Sequence, residues 1–204
     1  SLVGRCTSFA NGSGRTNDLR VAADGTKIVT AGDGGVTVRS PSGETLRALP
    51  PPGGRTWSAV FDRSAEHVVA GGVDGRLRAY RLSDGSTEWT LDVGAPIRRL
   101  EWSNDGARLL VAAEDGTAKI VDPAARRVAL TLRHGPGDVM AAVPHPDGAT
   151  VYTAGDDRTI KAWDLATGAL RGTLSGHQGP VTSLAFFDGG RRLVSGSDDT
   201  GVIA

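Results

Sequence analysis

The sequence predicts an all-β fold made of repeated four-stranded antiparallel units. The first sign is a set of five aspartates that recur every 41 or 42 residues, at Asp33, Asp74, Asp115, Asp157 and Asp199. The second is the interruption of the chain about every eight to twelve residues by glycine-bearing turns, which leaves no room for helical periodicity. A period of about 40 to 45 residues is the length of one four-stranded propeller blade. We therefore expect a β-propeller with four complete blades and part of a fifth.

Each period contains the same succession of strands and turns, most clearly in the fourth. There, an apolar strand from Val139 is followed by a turn at 146–148, a strand at 151–155, a turn at 156–158 and a strand at 159–164. A further turn then leads into a fourth strand. On this basis the repeat divides into units at about 16–50, 51–92, 93–133, 134–175 and 176–204, and residues 1–15 form a linker or the tail of a preceding blade.

The fifth unit stops before its expected third strand is complete. Trp163 follows Asp157 by six residues, and the same step from Asp199 reaches position 205. We therefore expect the sequence to be a fragment of a longer chain, whose ring has about seven blades and to which further domains are fused. An open arc leaves unpaired strand edges, so the isolated 204 residues are expected to be poorly soluble or oligomeric.

Composition narrows the possible functions. Lysine plus arginine and aspartate plus glutamate both number 23, so no net basic charge is available to bind nucleic acid. Cys6 is the only cysteine, which rules out an internal disulfide framework and favours a cytoplasmic over a secreted setting. No apolar stretch reaches the roughly 18 residues of a membrane helix, so no membrane partner is expected. The sequence contains no Cys/His cluster at zinc-binding spacing, no phosphate loop and no catalytic motif. We therefore expect no enzyme activity, metal or cofactor. His145 lies beside a turn, where we expect it to be idle.

The fourth and fifth units contain residues that are characteristic of a known repeat. They include Trp163-Asp164, Gly176-His177 and the run Ser-Gly-Ser-Asp-Asp at 195–199. On these residues the chain resembles the WD40-repeat family, whose blades share a buried hydrogen-bonded set of a loop histidine, a strand serine or threonine, a turn aspartate and a strand tryptophan. The resemblance implies that this set consists of His134, Thr153, Asp157 and Trp163 in the fourth unit, and of His177, Ser195 and Asp199 in the fifth. A hydrolase triad is the other interpretation of these residue types, but recurrence at the blade period favours a structural role.

The first three units lack most of this set. At the position of Trp163 they carry Arg39, Tyr80 and Val121, and at the position of Thr153 they carry Val29, Ala70 and Val111. We expect these units to rely on apolar packing and turn chemistry. Their turn aspartates Asp33, Asp74 and Asp115 are expected to accept hydrogen bonds from backbone N–H groups of the turn.

One segment is similar to a second type of propeller repeat. Residues 73–89 contain a glycine-bounded turn followed by Trp89, as in the quinoprotein-type repeat, in which such a tryptophan docks between blades. The later units end without that tryptophan, so the WD40 resemblance accounts for more of the chain. The alternative is therefore that the chain is a fragment of a quinone-dependent (PQQ-type) propeller oxidoreductase.

The favoured function is that of an interaction scaffold for proteins or peptides. A propeller presents the loops at one end of its blades as a broad face suited to such partners. The WD40 resemblance implies that contacts come from the residue before each repeat aspartate and from the second residue of each first strand. In this chain these residues are Trp57, Val73, Arg98, Glu114, Met140, Asp156, Thr182 and Asp198. Trp57 and Arg98 are the expected anchors, because Trp and Arg contribute a disproportionate share of interface energy.

Overall fold

The computed structural model describes residues 14–49 and 53–203, and this part of the chain contains five antiparallel sheets. The first comprises β1 (Thr16–Val21), β2 (Ile28–Gly32), β3 (Gly35–Arg39) and β4 (Thr45–Leu49). The second comprises β5 (Thr56–Phe61), β6 (His67–Gly72), β7 (Arg76–Arg81) and β8 (Thr87–Asp92). The third comprises β9 (Ile97–Trp102), β10 (Leu109–Ala113), β11 (Thr117–Asp122) and β12 (Arg127–Arg133). The fourth comprises β13 (Val139–Pro144), β14 (Thr150–Gly155), β15 (Thr159–Asp164) and β16 (Leu170–Ser175). The fifth comprises β17 (Val181–Phe187), β18 (Arg192–Ser197) and β19 (Val202–Ile203).

Strands within each sheet pair in chain order, so every connection inside a sheet is a hairpin. This confirms the prediction of an all-β chain of propeller blades. The linker predicted at 1–15 lies outside the described residues, apart from Gly14 and Arg15. Within the described ranges the one helix is a 3₁₀ turn at Asp188–Gly190, and none is long and apolar enough to cross a membrane.

Aspartate side chains shape the turns between first and second strands. The carboxylates that accept the N–H of the residue two positions later are those of Asp24, Asp105 and Asp147. A glycine with φ of +71° or +72° follows each of them, a conformation that costs glycine little. In the second sheet Ala65 takes the left-handed conformation instead, at φ +55°, and Asp62 and Ser64 supply the hydrogen bonds of the turn. The local sequence therefore fixes where each hairpin reverses.

Each first strand carries a β-bulge at its second residue. In the second sheet Thr56 pairs with Gly72 and Ser58 with Gly71, so Trp57 has no partner in the ladder. The same irregularity skips Asn17, Arg98, Met140 and Thr182 in the other sheets. A bulge takes its extra residue out of the regular alternation and redirects its side chain. All five sheets therefore present one extra side chain at the same end.

The apolar core lies between consecutive sheets, which pack face to face. The first strands β1, β5, β9, β13 and β17 lie side by side from one sheet to the next. Leu77 and Leu100 are fully buried between the second and third sheets, and Trp163 packs against Leu132 between the third and fourth. Tyr80 is also buried at the position of Trp163 in its own sheet. Apolar packing thus holds the sheets together even where the hydrogen-bonded set is incomplete.

Hydrogen bonds link neighbouring sheets at the end opposite the bulges. Arg63 Nη2 donates to the carbonyl of Asn104 at 3.0 Å, and Asn104 Nδ2 donates to the carbonyl of His145 at 2.6 Å. His145 Nε2 lies 2.9 Å from the carbonyl of Gly190, and its ring meets that of Phe186 edge-on at 4.8 Å. The expectation that His145 is idle is therefore wrong, because this side chain joins the fourth and fifth sheets.

Candidate partner-binding face

All eight predicted contact residues lie at one end of the sheets. In an antiparallel sheet joined by hairpins, the start of the first strand and the turn between the second and third strands share an end. We call this end the loop face and define it by the bulge residues Trp57, Arg98, Met140 and Thr182 and the turn residues Val73, Glu114, Asp156 and Asp198. Val73, Asp156 and Asp198 are exposed, and the other five are half-buried.

Two arginines hold the ring of Trp57. The guanidinium carbon of Arg98 lies 4.5 Å from the ring centroid, and that of Arg55 lies 5.7 Å away. Cations within about 6 Å of an indole centroid are attracted to its π-face. The Trp57 indole N–H is buried and has no hydrogen-bond acceptor among the described residues. The position of this ring therefore depends on the arginines rather than on a hydrogen bond of its own.

Arg98 is itself held by carboxylates from the third and fourth units. Its Nε lies 3.0 Å from Glu114 Oε1, and its Nη2 lies 2.7 Å from Asp138 Oδ2. The Asp138 N–H in turn donates to Asp156 Oδ2 at 2.9 Å. Gly137 makes this approach possible, because a Cβ there would lie 2.5 Å from the Cβ of Asp156. Arg98 is thus linked directly to Glu114, and to Asp156 through Asp138. Asp138 was not predicted from the sequence, because it occupies neither of the two repeat positions that predict contacts.

The other predicted residues stay outside this cluster. Thr182 Oγ1 donates to the carbonyl of Gly196 within its own sheet, at 3.3 Å. Val73 has 40% of its surface exposed, and Met140 is half-buried. In the described part of the chain, the carboxylate of Asp198 makes no side-chain hydrogen bond or ion pair. Their role as contacts is unaltered by the structure and stays a prediction.

A buried hydrogen-bonded set lies behind the loop face in the fourth sheet. His134 Nδ1 lies 2.7 Å from Thr153 Oγ1, and His134 Nε2 lies 2.9 Å from Asp157 Oδ1. Trp163 Nε1 donates to Thr153 Oγ1 at 2.7 Å. Because that hydroxyl accepts from the indole, its own proton is available to His134 Nδ1, which leaves the Nε2 proton for Asp157. The four groups thus tie the loop, the second strand, the turn and the third strand together.

Charge in this set is fixed by its surroundings. Burial lowers the pKa of His134 and outweighs the attraction of the Asp157 carboxylate, so the ring is neutral at pH 7. Burial alone would raise the pKa of Asp157, but hydrogen bonds from Lys161 and Thr159 outweigh it and lower that pKa to about 2. The Thr153 hydroxyl is fully buried, out of reach of a substrate. The geometry of these four groups agrees with the hydrogen-bonded set that the sequence predicts.

The fifth sheet contains the same set without a tryptophan. His177 Nδ1 lies 2.9 Å from Asp199 Oδ2, and His177 Nε2 lies 2.8 Å from Ser195 Oγ. The N–H of Gln178 also donates to Asp199 and holds the pKa of this carboxyl well below its ordinary value. The ring nitrogens exchange roles relative to His134, since here Nδ1 meets the carboxylate.

A repeated ion pair supplements the turn aspartates. In the second, third and fourth units each aspartate pairs with a cation four residues later: Asp74 with Arg78 at 2.6 Å, Asp115 with Lys119 at 2.8 Å and Asp157 with Lys161 at 2.6 Å. Lys119 is buried. These pairs were not predicted from the sequence, although their cations recur with the same 41- and 42-residue spacing as the aspartates. In the second and third units they bind a side chain of the third strand to a turn that has no histidine.

The first-unit aspartate behaves differently from its counterparts. Asp74 and Asp115 accept the N–H of the residue two positions later in their own turns. Asp33 instead accepts the N–H of Arg15 at 3.2 Å and pairs with Arg55 Nε at 2.6 Å. The expectation that Asp33 caps its own turn is therefore corrected: its carboxylate connects the first sheet to the second. Within residues 14–49 and 53–203, no cluster of three or more His, Cys, Asp or Glu side chains is arranged to hold a metal ion.

Family models match the part of the chain that contains these sets. The model described as WD domain, G-beta repeat, matches residues 127–164 and 168–203, which include His134 and His177. The chain belongs to the WD40-repeat family. A second model, for the WD40 domain of anaphase-promoting complex subunit 4, matches residues 63–142 of this WD40 chain. Members of the family generally bind proteins and are generally non-catalytic.

The curated proteins that are similar to this chain include WD-repeat proteins. Each of those described below is longer than this chain. An uncharacterised WD repeat-containing protein of Schizosaccharomyces pombe is 35% identical over 147 residues, which cover 71% of this WD40 chain and 36% of that protein. Striatin-4 of Homo sapiens is 27% identical over 157 residues, covering 72% and 21%. Angio-associated migratory cell protein of Homo sapiens is 28% identical over 149 residues, covering 69% and 33%. The matched part thus spans little more than a third of these relatives at most.

Proposed function

We propose that this WD40 chain is an interaction scaffold that binds a protein or peptide on its loop face and performs no catalysis itself. The observation that supports this most directly is the cluster of Trp57 and Arg98, two residues held in place before any partner arrives. Groups fixed in advance lose little conformational entropy on association, and Trp and Arg are the residues that most often dominate interface energy.

The two residues have different roles in this proposal. Arg98 is committed to Glu114 and Asp138, so it acts mainly by holding the Trp57 ring and through its remaining nitrogen, Nη1. Trp57 is half-buried and supplies the large apolar surface. The anchor is therefore Trp57, with Arg98 as the group that positions it.

The alternative oxidoreductase has lost support. Its sign was Trp89, which does pack against the core between the second and third sheets. No other unit has a tryptophan at that position, and both family models are WD40 models.

Nucleic acid also fits the loop face poorly, because its cations are already paired with carboxylates. These cations are Arg55, Arg78, Arg98, Lys119 and Lys161.

Site-specific photo-cross-linking in cells of the source organism tests the proposal. A benzophenone amino acid placed at Val73, on the loop face, is expected to capture the partner. The matched control carries the same group at Ala107, which is exposed at the opposite end of the sheets. Equal capture from both positions would contradict the loop face as the binding surface.

Affinity for the captured partner then identifies the anchor. We expect Trp57→Ala to weaken binding at least tenfold, because a central aromatic contact is worth about 2 kcal/mol or more. Trp89→Ala is the matched control, since it removes a half-buried tryptophan away from the loop face. Circular dichroism verifies that both variants are folded. Unchanged affinity in Trp57→Ala would reject this residue as the anchor.

A further inference from the structure

We infer that the partner segment is basic at one end and apolar at the other, with its Lys or Arg side chains over the fourth and fifth units. This inference rests on the proposed function, because it assigns partner chemistry to the same loop face. The inference follows from a comparison of which carboxylates of that face have a cation partner in each unit and which do not.

Four carboxylates of the loop face each have a cation of their own. One-to-one pairs with N···O distances of 2.6 to 2.8 Å join Asp33 to Arg55, Asp74 to Arg78, Asp115 to Lys119 and Asp157 to Lys161. An ionised carboxylate that already has such a partner gains little from a second cation. These four aspartates therefore offer little to a charged ligand.

Four other carboxylates share a single cation. Arg98 is the one positive group for both Glu114 and Asp138. Asp156 accepts the Asp138 N–H, and in the described part of the chain neither it nor Asp198 has an ion pair. Both aspartates are exposed. Apart from the one-to-one pairs, the loop ends of the third, fourth and fifth units hold five carboxylates, these four and Asp199, against two cations, Arg98 and the exposed Arg133 at the end of β12.

One further cation lies nearby. Arg158 stands in the same turn as Asp156, is exposed, and lines the cleft between the fourth and fifth sheets together with Leu174 and Ile203. The excess of negative charge over the fourth and fifth units is therefore left for a partner to neutralise.

The second unit has the opposite character. Val73 is 40% exposed, and Trp57 is the second residue of the first strand of the same sheet. The cations beside that ring are already paired with carboxylates. The loop face is therefore apolar and aromatic over one sheet and acidic over two others. Complementary charge on a partner raises its association rate and fixes its orientation, so this asymmetry selects both composition and direction.

Two pools of synthetic twelve-residue peptides test the inference on the full chain. Both pools contain random apolar residues, and the charged positions are Lys or Arg in one and Asp or Glu in the other. Binding is measured by the change in tryptophan fluorescence and by isothermal titration. We expect the basic pool to bind and the acidic pool to bind at least tenfold more weakly. Affinity for the basic pool is expected to fall as NaCl rises from 50 to 300 mM, because added salt screens exposed charges.

Variants then locate the binding. Asp198→Asn and Asp156→Asn are each expected to weaken the basic pool about fivefold, the size of a favourable exposed ion pair. Asp188→Asn, at the opposite end of the fifth sheet, is the matched control and is expected to change affinity less than twofold.

Each result decides between the two proposals. Peptides that lose affinity in Trp57→Ala but show no preference for Lys or Arg would overturn the inference and leave the proposed function standing. Failure of the basic pool to bind at millimolar concentration would also overturn the inference, and cross-linking at Val73 would then judge the proposed function by itself.

Discussion

The guanidinium of Arg98 lies over the indole of Trp57, although the two residues are 41 positions apart and belong to different sheets. Both occupy the bulge that interrupts the first strand of each sheet. The repeat therefore brings equivalent positions of neighbouring blades into contact at the loop face. Because the bulge redirects both side chains, this contact between blades lies within the proposed binding surface.

This contact predicts an energetic coupling between the two residues. We expect Trp57→Ala and Arg98→Ala to be non-additive in urea unfolding, with a coupling energy of about 0.5 to 2 kcal/mol, because a partly desolvated cation–π pair has that strength. Trp57→Ala combined with Arg76→Ala is the control cycle, since Arg76 pairs with Asp92 instead. Additive behaviour of Trp57 and Arg98 would show that the ring contact contributes nothing to stability.

The buried hydroxyl of Thr153 predicts a large loss of stability on its removal. Thr153→Val keeps the shape of the side chain but leaves the Trp163 N–H and His134 Nδ1 without their partner. We expect a loss of about 2 to 4 kcal/mol in the free energy of unfolding, because each buried unsatisfied group costs about 1 to 3 kcal/mol. Thr173→Val, on the exposed fourth strand of the same sheet, is expected to change stability by less than about 0.5 kcal/mol. A loss in Thr153→Val no larger than in this control would contradict the role of the hydroxyl.

The fold was predictable from sequence because its signal is periodic. Five aspartates at a constant spacing fix the blade length, and Asp-Gly pairs fix where hairpins reverse. The positions of Trp57 and Arg98 at the loop face follow from the same register. Periodicity predicts which residues share an end of the sheets, because equivalent positions in a repeat have equivalent places in the fold.

Contacts between units were harder to predict. Asp138 was missed because it lies in a loop whose residues do not recur with the repeat, and a spacing argument cannot assign its partners. His145 was misjudged for a related reason, since its hydrogen bond to Gly190 and its contact with Phe186 come from the next sheet. The Asp115–Lys119 pair is different, because its cation recurs at the blade period as the aspartates do, and that spacing is sufficient to predict the pair.

The lowered pKa of His134 predicts a loss of stability in mild acid. An unfolded histidine takes up its proton near pH 6.5, whereas the buried native ring does so at lower pH. Below about pH 6.5 the unfolded state therefore binds more protons, and the contribution of His134 to stability declines as the pH falls. We expect the difference in unfolding free energy between the native protein and His134→Gln to narrow between pH 7.5 and 5, as measured by urea unfolding. A difference that widens over this range would show that the pKa of His134 is raised, not lowered, in the folded protein.

The lowered pKa of Asp157 predicts a second loss of stability, at lower pH. Its pKa is lowered from 3.8 to about 2 in the folded protein, so the stability it supplies is complete above about pH 4 and is lost as the pH falls toward 2. A shift of this size corresponds to roughly 2 kcal/mol. We expect Asp157→Asn to make the acid transition between pH 4 and 2 less steep in thermal melts, with the remainder due to other carboxyls of lowered pKa, such as Asp147. An equally steep acid transition in this variant and in the native protein would place the responsible carboxyl elsewhere.

The ring of His145 predicts that the fourth and fifth sheets unfold together. His145→Phe keeps the aromatic contact with Phe186 but removes the hydrogen bonds of the ring to the Gly190 carbonyl and to the exposed Asp147 N–H, whereas His145→Ala also removes the aromatic contact. We expect losses of about 1 kcal/mol for the first and about 2 to 3 kcal/mol for the second, since a hydrogen bond and a half-buried ring contribute about those amounts. Hydrogen exchange of the β17 and β18 amides locates the effect, because His145→Ala should accelerate exchange there more than in β5 and β6. Equal acceleration in both pairs of strands would mean that the side chain supports the whole molecule rather than this junction.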